Sequence, residues 1–405
     1  MKTVLVLNPY LPTMGGGEKH MGYLCKFIEE YYNGDVKIDI LVHNYNNIDI
    51  HDKNYITIEN LNNQFGLTLN NTYIRKIDIT MPNNLKESLY NKELVENITK
   101  EYDIFINFMF LSKHIGRAKI NIYSCMFPPK TYEQEIQGSL IKKLGAKYYD
   151  YKFYNSYQSF ISNSGFTNHW LSEYWKSSKK NSIVYPPVFS EKEIEGRYNE
   201  EEKENIIVSV GRFFVGAHSK KQFEMVEMFV NNKEKFKDYE YHLVGALSNY
   251  DEDIEYFNKI KALSAQADNV YIHENYPFNE LIKLYRKAKI FWHGTGYKEN
   301  ENENPEKMEH FGITTIEAMS FGSVPIVINK GGQQETVEDG FNGYRWNSEE
   351  ECISKTVKVI NDEKKRKLMA EACVEESKKY SIEAFYKANR RIFNELQIWC
   401  FCNYC

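Results

Sequence analysis

At 405 residues the chain is too long for one compact domain and suits two, each with its own core. Hydrophobic residues make up 42% of it, with 31 Tyr and 24 Phe, which excludes a disordered chain. A formal net charge of −5 supplies no general basic field. Wholesale nucleic-acid binding is therefore excluded, and an anionic ligand would need a local pocket of positive groups.

The N-terminal stretch MKTVLVLNPYLP has too short an apolar run for the ~7 to 15 residues of a signal peptide, so it reads as a first buried strand. No apolar run reaches the ~18 to 20 residues that a membrane helix needs. Short β-branched runs predict strands at 4–8, 37–42, 104–108, 119–124 and 160–164, then again at 206–211, 239–245, 269–272, 290–293 and 324–328. They alternate with helical patterns, the signature of βαβ units and parallel sheets. Between the two sets, the prolines of SIVYPPVFSEKEIEGRYNEEEKEN stop regular structure, and the acidic stretch after them reads as a linker. The expected division is 1–187 and 188–380, each a Rossmann-like α/β domain, followed by a helix and tail at 381–405 that packs back across the first domain. Seven cysteines, four of them scattered singly and three in the tail WCFCNYC, predict reduced thiols in the cytosol.

Four stretches suggest a phosphate-bearing ligand. In NPYLPTMGGGEKH, Gly15, Gly16 and Gly17 let the backbone approach a ligand, with a helix N-terminus behind them; a plain glycine-rich turn looks the same. In VSVGRFFVGAHSKKQ, Arg212 ends a strand and Lys220 and Lys221 open the next helix. A guanidinium that forks onto phosphate oxygens and an ammonium beside it suit a diphosphate. In FWHGTGY, His293 ends another strand as a cleft-lining residue or a satisfied core histidine. The fourth stretch, EHFGITTIEAM, sets Glu309 in a loop, Gly312 at a turn and Glu317 on a helix, eight residues beyond Glu309. The two carboxylates then grip different parts of one extended ligand, since a carboxylate accepts two hydroxyl donors, while the amides of Ile313 and Thr314 face phosphate.

The Glu309-x7-Glu317 spacing, Gly211-Arg212 with Lys221, the Gly15–Gly17 turn and GGQQETVEDGFNGY together resemble the retaining, GT-B-fold glycosyltransferases of family 4. FISNSGFTNHW and IVYPPV extend the likeness over nearly the whole chain and are similar to mannosyltransferases of lipid-linked oligosaccharide and polysaccharide assembly. The resemblance implies transfer of a hexose from a GDP- or UDP-linked sugar to a hydroxyl acceptor (glycan, lipid-linked sugar or protein), with no metal or other cofactor. The odd cysteine count and the lack of an export signal add the expectation of a cytoplasmic enzyme, with peripheral contact at the inner face of a membrane as a further one. By position, Arg212 and Lys221 would neutralise the leaving diphosphate. Glu317 would hold the ribose, Glu309 would contact the donor sugar, and Gly16 and Gly17 would approach the diphosphate. Lys221 is preferred to Lys220 because Gln222 stands where the family has glycine after its lysine. A GT-B epimerase of UDP-sugars and a non-catalytic sugar-nucleotide-binding protein are the alternatives. One departure stands out: the family's N-domain histidine is absent from KINIYSCMFPP, where Ser124, Cys125 and Met126 occupy that neighbourhood.

Three further features each carry two readings. Asp251-Glu252-Asp253 matches a metal-binding D-x-D, but acids in a helix's first turn are stabilised by its dipole without a metal. GSLIKKLGAKYYDYKFY could rest on an anionic membrane or be a solvated face over a tyrosine-rich core. GYKENENENPEKM reads as a mobile loop beside the donor site, a gate or an ordinary surface loop.

Overall fold

The computed structural model describes residues 1–8, 15–43, 57–79, 83–137, 139–176, 181–216 and 219–403, without the side chains of 85 and 397–403. Two compact units emerge, Met1–Pro187 with Phe385–Cys405, and Val188–Ala384.

The first unit is built on β1 (Lys2–Leu7), β2 (Val36–His43), β3 (Thr72–Ile77), β4 (Ile104–Asn107), β5 (Ile120–Cys125), β6 (Ser159–Ser162) and β7 (Asn181–Ile183). They form one parallel sheet in the order β3-β2-β1-β4-β5-β6-β7. β4, β5 and β6 are buried along their whole length, as expected of parallel strands covered on both faces. The helix Gly16–Tyr31 lays Met21, Leu24, Cys25 and Ile28, spaced as one helical stripe, into the core. The helix Ile382–Asn403 contributes Phe385, Ile392, Phe393 and Leu396 to that same core, with Phe27 and Phe393 edge-to-face at 5.3 Å. From Phe385 onward the C-terminal helix thus belongs to the first unit.

The second unit has β8 (Glu204–Val210), β9 (Glu240–Gly245), β10 (Val270–Glu274), β11 (Ala288–His293), β12 (Val324–Ile328) and β13 (Tyr344–Trp346). The parallel order is β10-β9-β8-β11-β12-β13. Its core stacks Phe229 on Tyr241 and sets Trp292 beside Tyr241 and Phe236, with the Trp292 indole N–H donating to Thr356 at 3.0 Å.

β3, β7 and β13 are not among the predicted strands. β7 and β13 have only three residues each, and β3 is an edge strand of mixed polarity (TYIRKI) whose Tyr73 is 49% exposed. The predicted linker is another correction. Its acidic stretch folds onto the second unit through a helix at Glu191–Glu195, closed by a reciprocal Ser190–Glu193 capping box. Ile194 is buried beneath it, the Arg197 guanidinium lies 3.6 Å from the Phe189 ring centre, and Glu200 pairs with the buried Arg366. Cys25, Cys125, Cys352 and Cys373 are buried and unpaired, while the side chains of the tail cysteines lie outside the described residues.

Candidate donor-binding site

In the second unit β8 and β11 are neighbours, and the strand order reverses between them. Open α/β sheets bind ligands outside the C-terminal ends of their strands at such a reversal. β8 runs out into Gly211 and Arg212, β11 ends on His293, and β12 leads to Gly331 and Gly332.

Glu309 lies in the segment before the helix Ile313–Ser320, and Glu317 lies on that helix. Lys220 Nζ is 2.5 Å from Glu309 Oε2, and His293 Nε2 is 3.1 Å from the same oxygen. Thr295 Oγ1 stands 3.3 Å from His293 Nε2, while His293 Nδ1 is buried without a partner among the described residues. Burial is the largest influence on both groups. It pulls the imidazole below its ordinary value, against the pull of Glu309. For Glu309 burial acts upward, yet Lys220 and His293 together hold the carboxyl well below the usual carboxylate range.

The glycine pair after β12 makes this arrangement fit. The Gly332 amide donates to the Glu309 carbonyl at 2.7 Å. A Cβ on Gly331, itself at φ +61°, would stand 2.3 Å from that carbonyl oxygen, and one on Gly332 would stand 2.4 Å from the His310 carbonyl oxygen. Gly312, at φ +94°, is the N-cap of the helix. Behind it, the Ile313 and Thr314 amides donate in no backbone bond among the described residues. A first-turn amide pair of this kind is suited to an anion.

The two lysines part ways. Lys221 occupies the left-handed N-cap position (φ 56°) of the helix Gln222–Asn231, and its ammonium pairs with Glu299 at 2.9 Å. The preference for Lys221 over Lys220 thus meets a structure in which Lys220, not Lys221, reaches Glu309. Arg212 is exposed, with its guanidinium 5.6 Å from the Phe214 ring centre. Glu317 is 5% exposed and lies near Tyr285, whose phenol donates to the Thr314 carbonyl at 3.5 Å and is pushed well up, first by burial and then by the Glu317 carboxylate. Neither Tyr285 nor His293's contact with Glu309 has a sequence signal beyond a buried helix position and a strand end.

The loop expected to be mobile is tied down. Glu299 pairs with Lys307 as well as Lys221, Lys330 Nζ donates to the carbonyls of Gly296 and Glu299, and the Gly331 amide donates to Glu301 at 3.0 Å. Glu299 is held below the usual carboxylate range, chiefly by its bond to Lys221. Asp253 accepts from the Val215 amide and the Ser248 hydroxyl, which matches the helix-start reading of the D-x-D run. Among the described residues no cluster of three or more His, Cys, Asp or Glu side chains could hold a metal ion.

The Gly15–Gly17 turn lies in the first unit. Gly15 caps the helix at Gly16, its amide is taken by the Glu18 carboxylate at 2.9 Å, and Gly17 has open space around it. Residues 9–14 of that stretch are outside the described residues. Ser124 and Cys125 end β5 as buried residues, with no histidine there.

Residues 190–375 match the family described as Glycosyl transferases group 1. The GDP-Man:Man(3)GlcNAc(2)-PP-Dol alpha-1,2-mannosyltransferase of Xenopus laevis is 31% identical over 175 residues, which is 42% of this chain and 34% of that protein. The alpha-1,3/1,6-mannosyltransferase ALG2 of Candida glabrata is 26% identical over 44% of this chain and 43% of its own length. The chain therefore spans less than half the length of these curated relatives. Among solved structures, a glycosyltransferase of Rickettsia africae superposes with a TM-score of 0.68 at 17% identity over 98% of both chains. Anabaena HepE in complex with UDP and glucose gives 0.66 at 14% identity, covering 98% of this chain and 100% of its own. These two likenesses show the fold, two Rossmann-like units of the GT-B kind.

Proposed function

We propose that this chain, which carries a glycosyl transferases group 1 domain, is a retaining glycosyltransferase of family 4. It moves a hexose from a GDP- or UDP-linked sugar to a hydroxyl acceptor in glycan, polysaccharide or glycolipid assembly. The observation that carries the reading is the convergence of Lys220 and His293 on one oxygen of Glu309, at 2.5 and 3.1 Å, at the point where the sheet order reverses.

In this reading the bond between the anomeric carbon and the phosphate oxygen breaks, and the acceptor oxygen bonds to the same face of that carbon. The acceptor's proton passes to the departing phosphate oxygen, so no protein base is needed. Arg212 and Lys220 meet the charge that builds on the diphosphate, which is where fixed cations lower a barrier most. Lys220 takes the place first given to Lys221 because it adjoins Glu309, whereas Lys221 is bound to Glu299. Glu309, kept ionised, accepts donor-sugar hydroxyls, and His293 fixes its orientation. Glu317 takes the ribose hydroxyls, and the amides of Gly312, Ile313 and Thr314 face phosphate. The reaction as written needs no metal. We place the protein in the cytoplasm, in peripheral contact with the inner face of a membrane that bears its acceptor. The dolichol-linked substrates in the relatives' names support that placement, and no helix among the described residues is long and apolar enough to cross a membrane.

A panel of GDP-, UDP- and ADP-sugars tests the reading by thermal shift and by slow donor hydrolysis. At a hundredfold excess over Kd, the matching donor raises the melting temperature by roughly 5–10 °C. If no nucleotide sugar shifts it, the reading is wrong.

A further inference from the structure

The helix Leu140–Ser156 in the first unit has two apolar faces, and only one is covered. Ala146, Asp150 and Phe153 face the core. On the opposite side Leu140, Leu144, Tyr148 and Tyr151 recur at the spacing of one helical stripe, with Ile141 beside them. Their exposures are 75%, 60%, 54%, 67% and 81%. Together with Tyr149 they supply six of the eighteen exposed large hydrophobic residues among the described residues, concentrated on a single helix. Large contiguous patches of this kind mark interaction surfaces.

Charge identifies the partner. Lys143 and Lys147 border one side of the stripe and Lys152 the other, with Lys142 further round, all four exposed. Lys152 Nζ lies 4.7 Å from the Tyr148 ring centre. The helix's one acid, Asp150, is turned inward, where it accepts from the Tyr132 and Glu133 amides at 2.8 and 3.0 Å. Of the acids on the neighbouring helix Tyr132–Glu135, Glu135 is held by Lys113 at 2.5 Å and Glu133 stands 3.5 Å from Lys147. A chain of net charge −5 has thus gathered cations around this exposed apolar stripe. Aliphatic side chains in the centre, tyrosines along them and lysines at the border match the layers of an anionic bilayer surface, namely acyl chain, glycerol region and phosphate. A second copy of the chain is a poorer fit, because a two-fold interface would set these lysines against their own duplicates.

We propose that this face of Leu140–Ser156 docks the protein in the plane of an anionic phospholipid bilayer, with Leu140, Ile141 and Leu144 inserted and the lysines on lipid phosphates. The proposal rests on a surface separate from the donor site, so each can fail alone. The test is flotation of the full chain with vesicles of phosphatidylcholine alone and of phosphatidylcholine with phosphatidylglycerol in equal parts, at low and high salt. The wild type is expected to float with the anionic vesicles and to be released by salt. Ile141→Asp/Leu144→Asp is expected to lose binding, and Lys143→Gln/Lys147→Gln to weaken it roughly 25-fold, about fivefold for each lysine. Both variants change only exposed positions, and an unchanged melting temperature verifies their fold. Failure of the wild type to float with anionic vesicles overturns the proposal, as does equal flotation of the double-Asp variant. Concentration-dependent dimerisation that Ile141→Asp/Leu144→Asp abolishes, seen in sedimentation velocity, assigns the face to a second copy and overturns it too.

Discussion

Replacing Gly332 by alanine separates the placement of Glu309 from the stability of the fold. Gly332 sits at φ −63°, so alanine has no backbone strain there. Its Cβ, however, would lie 2.4 Å from the His310 carbonyl oxygen and 2.6 Å from Phe311 Cα, where ordinary contact begins at 3.4 Å. The obstacles are backbone, so the segment carrying Glu309 has to retreat by about 1 Å, a displacement that costs on the order of 100-fold in a positioned reaction. Overpacking of this kind also destabilises by about 1–3 kcal/mol. Gly340→Ala is the control. Its φ of +85° strains an alanine, but its Cβ would meet nothing within 4 Å, so it loses about 1–2 kcal/mol without moving Glu309. The assay is release of nucleotide from the donor that the panel identifies, alongside thermal unfolding of each variant. Gly332→Ala should lose turnover far beyond its loss of stability, and Gly340→Ala should lose only stability. Turnover of folded Gly332→Ala within about threefold of wild type, against the expected 100-fold loss, would refute the argument that the glycine pair sets the Glu309 segment.

Two other predictions concern charge. Lys220→Met removes the strongest charge holding Glu309 ionised and should cut turnover roughly 100-fold or more. Lys221→Met should cost markedly less; the reverse ranking in steady-state kinetics would return the phosphate role to Lys221. Burial, reinforced by Arg366, lowers the Lys203 ammonium from its ordinary 10.5 to about 7. Between those values the unfolded chain holds a proton that the folded chain has released. Stability therefore rises with pH across that window, by up to roughly 1.4 kcal/mol per unit. Urea unfolding of wild type and Lys203→Met at the two ends of the window checks this, since the variant should show a flatter dependence.

Much of this is legible in the amino-acid sequence, for identifiable reasons. The loop-to-helix division between Glu309 and Glu317 follows from Gly312, which cannot lie inside a helix that starts at its own left-handed N-cap. The central strands stand out as continuous apolar runs because both sheet faces are covered. What escaped has local causes. The Ser190-x-x-Glu193 capping box marks a helix inside the supposed linker, a signal that the two prolines and the acidic composition around it obscure. Lys220 and Lys221 are adjacent and chemically alike. It is the φ of +56° at Lys221, with no glycine or asparagine to announce it, that accompanies their separation onto Glu309 and Glu299. Tyr285 and Glu317 are brought together only by tertiary packing.

The two lysines reach the site already neutralised, Lys220 by Glu309 and Lys221 by Glu299. Both lysines thus come with their own anions. A phosphate that takes Lys220 has to exchange with a carboxylate instead of filling an empty cationic hole. Such a swap changes the local charge balance little and rewards a ligand with further groups to offer the displaced acids. Free phosphate has none, whereas under the proposed function a sugar would present hydroxyl donors to Glu309 as its diphosphate claims Lys220. The ion pair would then act as a filter, giving little to simple anions and yielding to those that bring a replacement partner for the acid.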